Sequence, residues 1–203
     1  MGWRFCTLKS VSNIQRNEFD CGDEDINNYL RNLVNTSDEA GFSRTFFMIP
    51  DTGEPRVCGY YTLSASTISV KELPDEYRQP IPFPVPAILI AFLKWMKYTT
   101  SISKSALKKL CIPHSPENRY IGQFAIDKIW QGQGISRKLL ADAYRRICLL
   151  FQQEIIGFQA IRVDTRNEEA KEFWLKQGFV LFKKTKRSLF LPVKTILREL
   201  EVE

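Results

Sequence analysis

Apolar and polar positions alternate over residues 3–8, which predicts a first strand. After Phe19-Asp20-Cys21-Gly22, a turn composition, the period changes. Asp23 is placed to cap a helix whose apolar positions are Ile26, Tyr29, Leu30 and Leu33. A second helical piece is expected to reach Ala40, with Gly41 as its stop. Residues 45–49 and 57–66 are rich in β-formers, and the turn between them carries Asp51-Thr52-Gly53, so the two predict a hairpin. Seven of the ten prolines fall between Pro74 and Pro116, and they argue against a central strand over 74–86. Short helices are expected over 87–98 and 104–110. Residues 120–126 then read as a strand, followed by a long amphipathic helix over 135–151. On that helix Ile135, Leu139, Ala143, Ile147 and Leu150 recur at three- and four-residue steps. A strand at 160–163 and a helix at 168–176 follow, the helix stopped by Gln177-Gly178. Segments 179–182 and 189–191 are expected to close the chain as a strand pair. This order predicts an α/β domain, single over residues 1–203, with a mixed sheet.

The chemistry concentrates between the 120–126 strand and the 135–151 helix, in Trp130-Gln131-Gly132-Gln133-Gly134-Ile135-Ser136. A glycine-rich turn leading into a helix leaves backbone N–H groups uncovered, and the helix dipole behind them favours an anion. The first helical turn carries Ser136, Arg137 and Lys138, where a helix without a ligand favours Asp or Glu. Cations at the positive end of a helix suit an anion that arrives from outside. The plain alternative is a tight strand-to-helix turn beside solvated basic residues.

Charge adds a second pointer. The 203 residues carry a net charge of +6, and from Tyr77 to Pro116 there is no Asp or Glu. Arg78, Lys94, Lys97, Lys104, Lys108 and Lys109 give that segment +6. Lys183, Lys184, Lys186 and Arg187 form another basic cluster, while Glu18, Asp20, Asp23, Glu24 and Asp25 are acidic. Segregated basic charge suits a polyanion such as RNA, and equally suits a merely basic surface.

Five scattered cysteines (Cys6, Cys21, Cys58, Cys111, Cys148) without a CxxC pair argue against a disulfide framework and a zinc site. No metal is expected. The single histidine, His114, sits in Ile-Pro-His-Ser-Pro and reads as a solvated loop residue. The N-terminal residues lack the plan of a signal peptide, and the longest uncharged stretch is interrupted by proline and too short for a bilayer. A soluble, cytoplasmic protein without a membrane contact is expected.

Gln131-Gly132-Gln133-Gly134-Ile135-Ser136 resembles the pyrophosphate signature of the GNAT acetyltransferase superfamily, with Ser136 a departure at its last position. Downstream, Asn167 to Phe179 resembles the superfamily's Asn-x-x-Ala-x-x-Phe-Tyr-x-x-x-Gly-Phe segment. Phe19-Asp20-Cys21-Gly22, Asn28-Tyr29-Leu30, Gly59-Tyr60-Tyr61-Thr62-Leu63, Val85-Pro86 and Leu191-Pro192 narrow the likeness to GNAT toxins of type II toxin–antitoxin pairs, the TacT and AtaT group. In those toxins a segment like 84–90 runs almost directly into one like 122–127. Residues 92–119 therefore read as a basic helical or loop insertion.

The resemblance implies a GNAT fold, a mixed central sheet of about six to seven strands with two parallel strands splayed apart and helices on its flanks. It also implies acetyl-CoA as acetyl donor, its pyrophosphate on the amides of Gln133, Gly134, Ile135 and Ser136, with Gln131, Gly132 and Arg137 beside them. Pantetheine would run near Phe124, Ala125, Ile126, Asn167, Phe173 and Trp174. The acceptor implied is the α-amino group of aminoacyl-tRNA, whose acetylation blocks translation, and the partner a ribbon-helix-helix antitoxin. A homodimer is a further expectation.

Trp174 stands where the superfamily's tyrosine acid usually stands, and an indole N–H is a donor without useful acidity. It reads either as a catalytic-site residue or as packing beside the cofactor, with Tyr60, Tyr120 and Tyr144 as substitute acids. Two other functions stay open: a GNAT enzyme for a peptide or small amine, and a CoA-binding partner protein that has lost transfer activity.

Overall fold

The computed structural model describes residues 2–78, 84–91, 123–154 and 156–200. Its centre is an eight-stranded mixed sheet. Strand β1 (Trp3–Thr7) pairs antiparallel with β2 (Arg44–Pro50), which pairs antiparallel with β3 (Gly59–Ile68) in register Thr45 to Thr62, the expected hairpin. Between β1 and β2, Asp23 caps α1 (Glu24–Asn28) through its side-chain oxygen, as its position predicts. A π-helical turn (Tyr29–Leu33) joins α1 to α2 (Val34–Glu39), and Gly41 follows with φ of 73°. The extra residue in that turn rotates the buried face, so Val34 rather than Leu33 is fully enclosed.

The principal correction falls after Pro74. Residues 85–91 are a strand, β4 (Val85–Ala91), and not the start of a helix. β4 is also internal, between β3 and β6 (Ala160–Asp164), with Pro86 facing Thr67. Proline is tolerated there because it is the second residue of the strand, near its open end. The rest of the segment expected as helices, with the 92–119 insertion, Cys111, His114 and Tyr120, lies outside the described residues.

β5 (Phe124–Ile126) pairs antiparallel with the first residues of β3, and β4 pairs with the last residues of the same edge. Hence β4 and β5 are collinear halves of one strand track along the same edge of β3. β3 and β5 come very close. A Cβ on Gly59 would sit 2.7 Å from Ile126 Cδ1 and 3.1 Å from the Ala125 carbonyl oxygen.

After β5 come α3 (Ile135–Gln152), β6, α4 (Glu168–Lys176), β7 (Val180–Leu181), β8 (Ser188–Pro192) and α5 (Val193–Leu200). The expected strand pair forms as β7 and β8, and a helix that was not expected, α5, follows it. Helices α3, α4 and α5 share one core with β3, β4 and β6, in which Leu139, Ala143, Ile147, Trp174 and Ile196 meet Leu63, Ile90, Ile161 and Val163. The other face carries α1 and α2 over Phe47, Val57 and Tyr60.

A polar tie fixes α3 on the sheet. The Tyr61 hydroxyl donates to Asp142 Oδ2 at 2.6 Å, and Arg146 Nε donates to the same oxygen at 2.8 Å. The Arg146 guanidinium also lies 4.3 Å over the Phe46 ring. Burial, then the Asp142 carboxylate, drive the Tyr61 hydroxyl far above its ordinary pKa, so it remains a donor. The middle of α3 is thereby tied to β3.

Candidate functional site

Gly132 and Gly134 both adopt left-handed backbone, with φ of 74° and 73°, and Gly134 is the residue that enters α3. Space beyond both glycines is open, and residues 131–134 are exposed. Among the described residues, no protein acceptor meets the N–H groups of Gln133, Gly134, Ile135 or Ser136. An 18-residue helix stands behind these donors. Arg137 and Lys138 are exposed and form no ion pair among the described residues. This is a cradle shaped for a phosphate or pyrophosphate, and the residues present fit such a group.

The cradle is braced from below. The Gln131 side-chain amide donates to the Ile126 carbonyl at 2.9 Å and the Cys21 carbonyl at 3.0 Å. Gln133 Nε2 donates to the Ile129 carbonyl at 2.8 Å. These contacts make both glutamine side chains supports of the loop, leaving the backbone amides to meet an anion. Asp127, almost wholly buried, accepts from the Ile129 N–H at 3.0 Å and lies 3.7 Å from Arg56. Lys128 donates to Asp20 Oδ2 at 2.9 Å. With further hydrogen bonds from the Gly22 N–H and Asn27, this holds the Asp20 carboxyl down at about 2. Phe19-Asp20-Cys21-Gly22 therefore earns its place as the floor of the cradle.

Next to the cradle the sheet opens. β6 runs parallel to β4 as far as the Ala91–Val163 pair, and β5 pairs with β3 alone. The gap between β5 and the end of β6 is the cleft expected of splayed strands. Phe124, Ala125 and Ile126 form its β5 side. On the β6 side, Asn167 caps α4 by accepting from the Ala170 N–H at 2.8 Å. Trp174 is 3% exposed, with its ring 5.3 Å from Phe124, 5.2 Å from Phe173 and 4.9 Å from Phe179. It is thus part of an aromatic cluster that joins α4 to Phe124 of β5.

Of the substitute acids, Tyr60 is fully buried and its hydroxyl donates to the Ile26 carbonyl at 2.9 Å. Tyr144 is half-buried on α3 against the main core. A link that sequence reasoning missed joins the entry of α4 to the start of α1. Arg166, just before α4, pairs with Asp23 and, at 2.5 Å, with Asp25 at the start of α1. No spacing rule joins residues so distant in the chain, so only the fold could reveal it.

A glycine cradle at a helix start, beside a mixed sheet in which β5 and β6 are not paired, is the arrangement of a GNAT-like fold. Residues 112–190 match the family described as acetyltransferase (GNAT) domain. A "tRNA-acetylating toxin" of Mycobacterium tuberculosis (strain ATCC 25618 / H37Rv) is 27% identical over 161 residues, which span 79% of this chain and 75% of the relative. Among solved structures, a tyrosine variant of KacT superposes with a TM-score of 0.75 at 24% identity, covering 98% of this chain and 99% of its own. AtaT complexed with acetyl-methionyl-tRNAfMet superposes with a TM-score of 0.73 at 24% identity, over the whole of both chains.

Proposed function

We propose that this chain is an acetyl-CoA-dependent N-acetyltransferase that acetylates the α-amino group of aminoacyl-tRNA, acting as the toxin of a toxin–antitoxin pair in the cytoplasm. The single observation that carries the donor half is the row of unpartnered amides from Gln133 to Ser136, open to an anion at the start of α3. The acceptor half is supported by the relative named as a tRNA-acetylating toxin and by AtaT in complex with acetyl-methionyl-tRNAfMet. AtaT is also known bound to its antitoxin AtaR with acetyl-CoA, and KacT in a KacTA–DNA complex, which supports an antitoxin partner here.

Acetyl-CoA, when bound, supplies an activated acetyl thioester. The amides of Gln133, Gly134, Ile135 and Ser136 hold its pyrophosphate, with Arg137 adding charge. Phe124, Ala125, Ile126, Asn167 and Phe173 border the cleft for its pantetheine arm. Fixing both reactants in one cleft lowers the entropic part of the barrier, which for an amine and a thioester is the main requirement. No metal or nucleophilic cysteine enters the scheme. The Cys21 and Cys58 thiols are both pushed up to about 11, chiefly by burial, and stay protonated at neutral pH. Trp174 supports the wall of the cleft, and water carries the proton that a tyrosine would otherwise supply.

The test is incubation of the purified protein with acetyl-CoA and a panel of aminoacyl-tRNAs. N-acetylaminoacyl-tRNA is expected from at least one of them. Failure on every charged tRNA, with acetylation of a peptide or small amine instead, replaces this reading with the broader GNAT one.

A further inference from the structure

The two borders of the proposed donor site belong to different parts of the sheet. The cradle follows β5, while Asn167 and Phe173 belong to the segment after β6. β5 pairs with β3, and β6 pairs with β4 and β8, so among the described residues no strand hydrogen bond joins β5 to β6. The spacing of these borders is therefore left to side chains. One tie is apolar, the contact of Phe124 with Trp174 and Phe173 at 5.3 and 6.0 Å between ring centres. The other is polar and runs through the N-terminal loop 19–23.

On the cradle side that loop is bonded at several points. The Lys128 N–H donates to the Asp20 carbonyl at 2.8 Å, and the Lys128 ammonium to Asp20 Oδ2 at 2.9 Å. Gln131 Nε2 donates to the Cys21 carbonyl at 3.0 Å. Asn27 carries the connection into α1, accepting from the Cys21 N–H and donating to Asp20 Oδ1, both at 3.0 Å. Asp23 then uses its two oxygens differently. Oδ1 accepts from the Asp25 and Ile26 N–H groups as the cap of α1, and Oδ2 accepts from Arg166 Nη1. Arg166 Nη2 donates to Asp25 Oδ2 at 2.5 Å. Arg166 is itself fixed at both neighbours, since Thr165 is bonded to the Arg187 carbonyl and Asn167 caps α4. A planar guanidinium held by two carboxylates has a defined direction, and the Arg166 and Asp23 side chains are only 27% and 26% exposed.

We infer that Arg166 is a positioning residue for acetyl-CoA: its clasp on Asp23 and Asp25 sets the entry of α4, with Asn167, at a fixed distance from the glycine cradle. This role rests on the acetyl-CoA reading proposed above. A ligand that touches both borders gains full affinity only when their spacing is held at its own length, so a loosened clasp weakens it. A ligand on the cradle alone gains nothing from the clasp. With its charge matched by two carboxylates, Arg166 acts through α4 and not as a phosphate contact. Part-exposed ion pairs add little to stability, so the effect of the clasp is expected in binding and not in melting.

The experiment measures acetyl-CoA affinity by calorimetry, ADP affinity and thermal stability for wild type, Arg166→Gln, Arg166→Lys, Asp25→Asn and the double variant Arg166→Gln/Asp25→Asn. ADP carries a pyrophosphate without pantetheine, so it probes the cradle alone. Arg166→Gln is expected to weaken acetyl-CoA about tenfold and ADP by less than about twofold. Asp25→Asn weakens acetyl-CoA about threefold, and the double variant no more than Arg166→Gln, because both changes act through one clasp. Arg166→Lys recovers part of the loss, since its point charge replaces the fork that bridges two carboxylates. Equal weakening of ADP and acetyl-CoA overturns the inference, by showing that Arg166 acts on the cradle or on the phosphates. Unchanged acetyl-CoA affinity in Arg166→Gln overturns it too, and a lower melting temperature beside it shows a structural role. If wild type binds neither ligand, the donor reading fails first and the clasp falls with it. Should Arg166→Gln fail to fold, Asp25→Asn carries the test, because it leaves the cap of α1 and the Arg166–Asp23 pair in place.

Discussion

At the scale of single residues, the donor site depends on backbone more than on side chains. Gly134 holds φ at 73° and leaves its surroundings open, so any side chain there is strained and also enters the open space proposed for the pyrophosphate. Gly134→Val is expected to cost about 1–3 kcal/mol of stability and to abolish acetyl-CoA binding by calorimetry. A normal affinity in a folded Gly134→Val would remove the cradle from the mechanism. Asp20 provides a pH signature for the floor of the same loop. Its carboxyl lies at about 2 in the folded protein against an ordinary 3.8, because Lys128, the Gly22 N–H and Asn27 favour the charged form. A lowered carboxyl stabilises the fold above the unfolded value, and the contribution is lost as pH falls from about 4 through about 2. Thermal melts of wild type and Asp20→Asn over that range should therefore converge at the acid end and differ above pH 5.

Elements explain both what was legible and what was not. The helix 168–176 and its glycine stop match observation because cap, periodicity and terminator agree locally: Asn167, the apolar positions and Gly178. The cradle was legible for the same reason, since its glycines are required by the turn itself. β4 misled because it is buried on both faces. Ile88 and Ile90 enter one core while Ala87 and Leu89 are covered on the other, so the strand reads as an unbroken apolar run without a period of two. Helix α5 was hidden by its brevity, although Val193 and Ile196 keep helical spacing. The role of Trp174 was ambiguous in the chain because a motif position specifies location and not environment. The aromatic cluster around it supports the packing role, and the cost of losing that packing follows. Trp174→Ala should destabilise the protein by about 3–5 kcal/mol. Trp174→Phe should cost about 1–2 kcal/mol and keep kcat within about threefold. A much larger fall in kcat for a folded Trp174→Phe, at unchanged acetyl-CoA affinity, would return a catalytic role to the indole.

For the whole molecule, the question is where a large polyanion lies once its reactive end is in the cleft. The 92–119 segment carries much of the basic charge, but Lys104, Lys108 and Lys109 fall outside the described residues. The described residues offer a second basic surface, the hairpin tip between β7 and β8. Its backbone is tied to the exit of β6, with Thr165 donating to the Arg187 carbonyl through both its N–H, at 2.7 Å, and its hydroxyl, at 3.0 Å. Lys184, Lys186 and Arg187 are exposed, and among the described residues only Lys183 of the cluster is in an ion pair, with Asp75 at 2.7 Å. Their field extends to the start of α4, where Lys186 and Arg187 join Lys171 in lowering the Glu168 carboxyl. That tie sets the tip next to Arg166, and on the aminoacyl-tRNA reading proposed above it is a surface on which the phosphates of the acceptor strand would lie. Each phosphate contact releases condensed counterions, so binding weakens with salt in proportion to the number of contacts. Replacing Lys184, Lys186 and Arg187 together by glutamine should reduce the slope of log KM against log salt by about 2 to 3, with acetyl-CoA affinity constant. An unchanged slope would place the RNA on another face, and a loss of acetyl-CoA affinity would show that the tip supports the cleft itself. Because all three side chains are exposed, thermal stability should move by no more than about 0.5 kcal/mol, which separates a failure to bind RNA from a failure to fold.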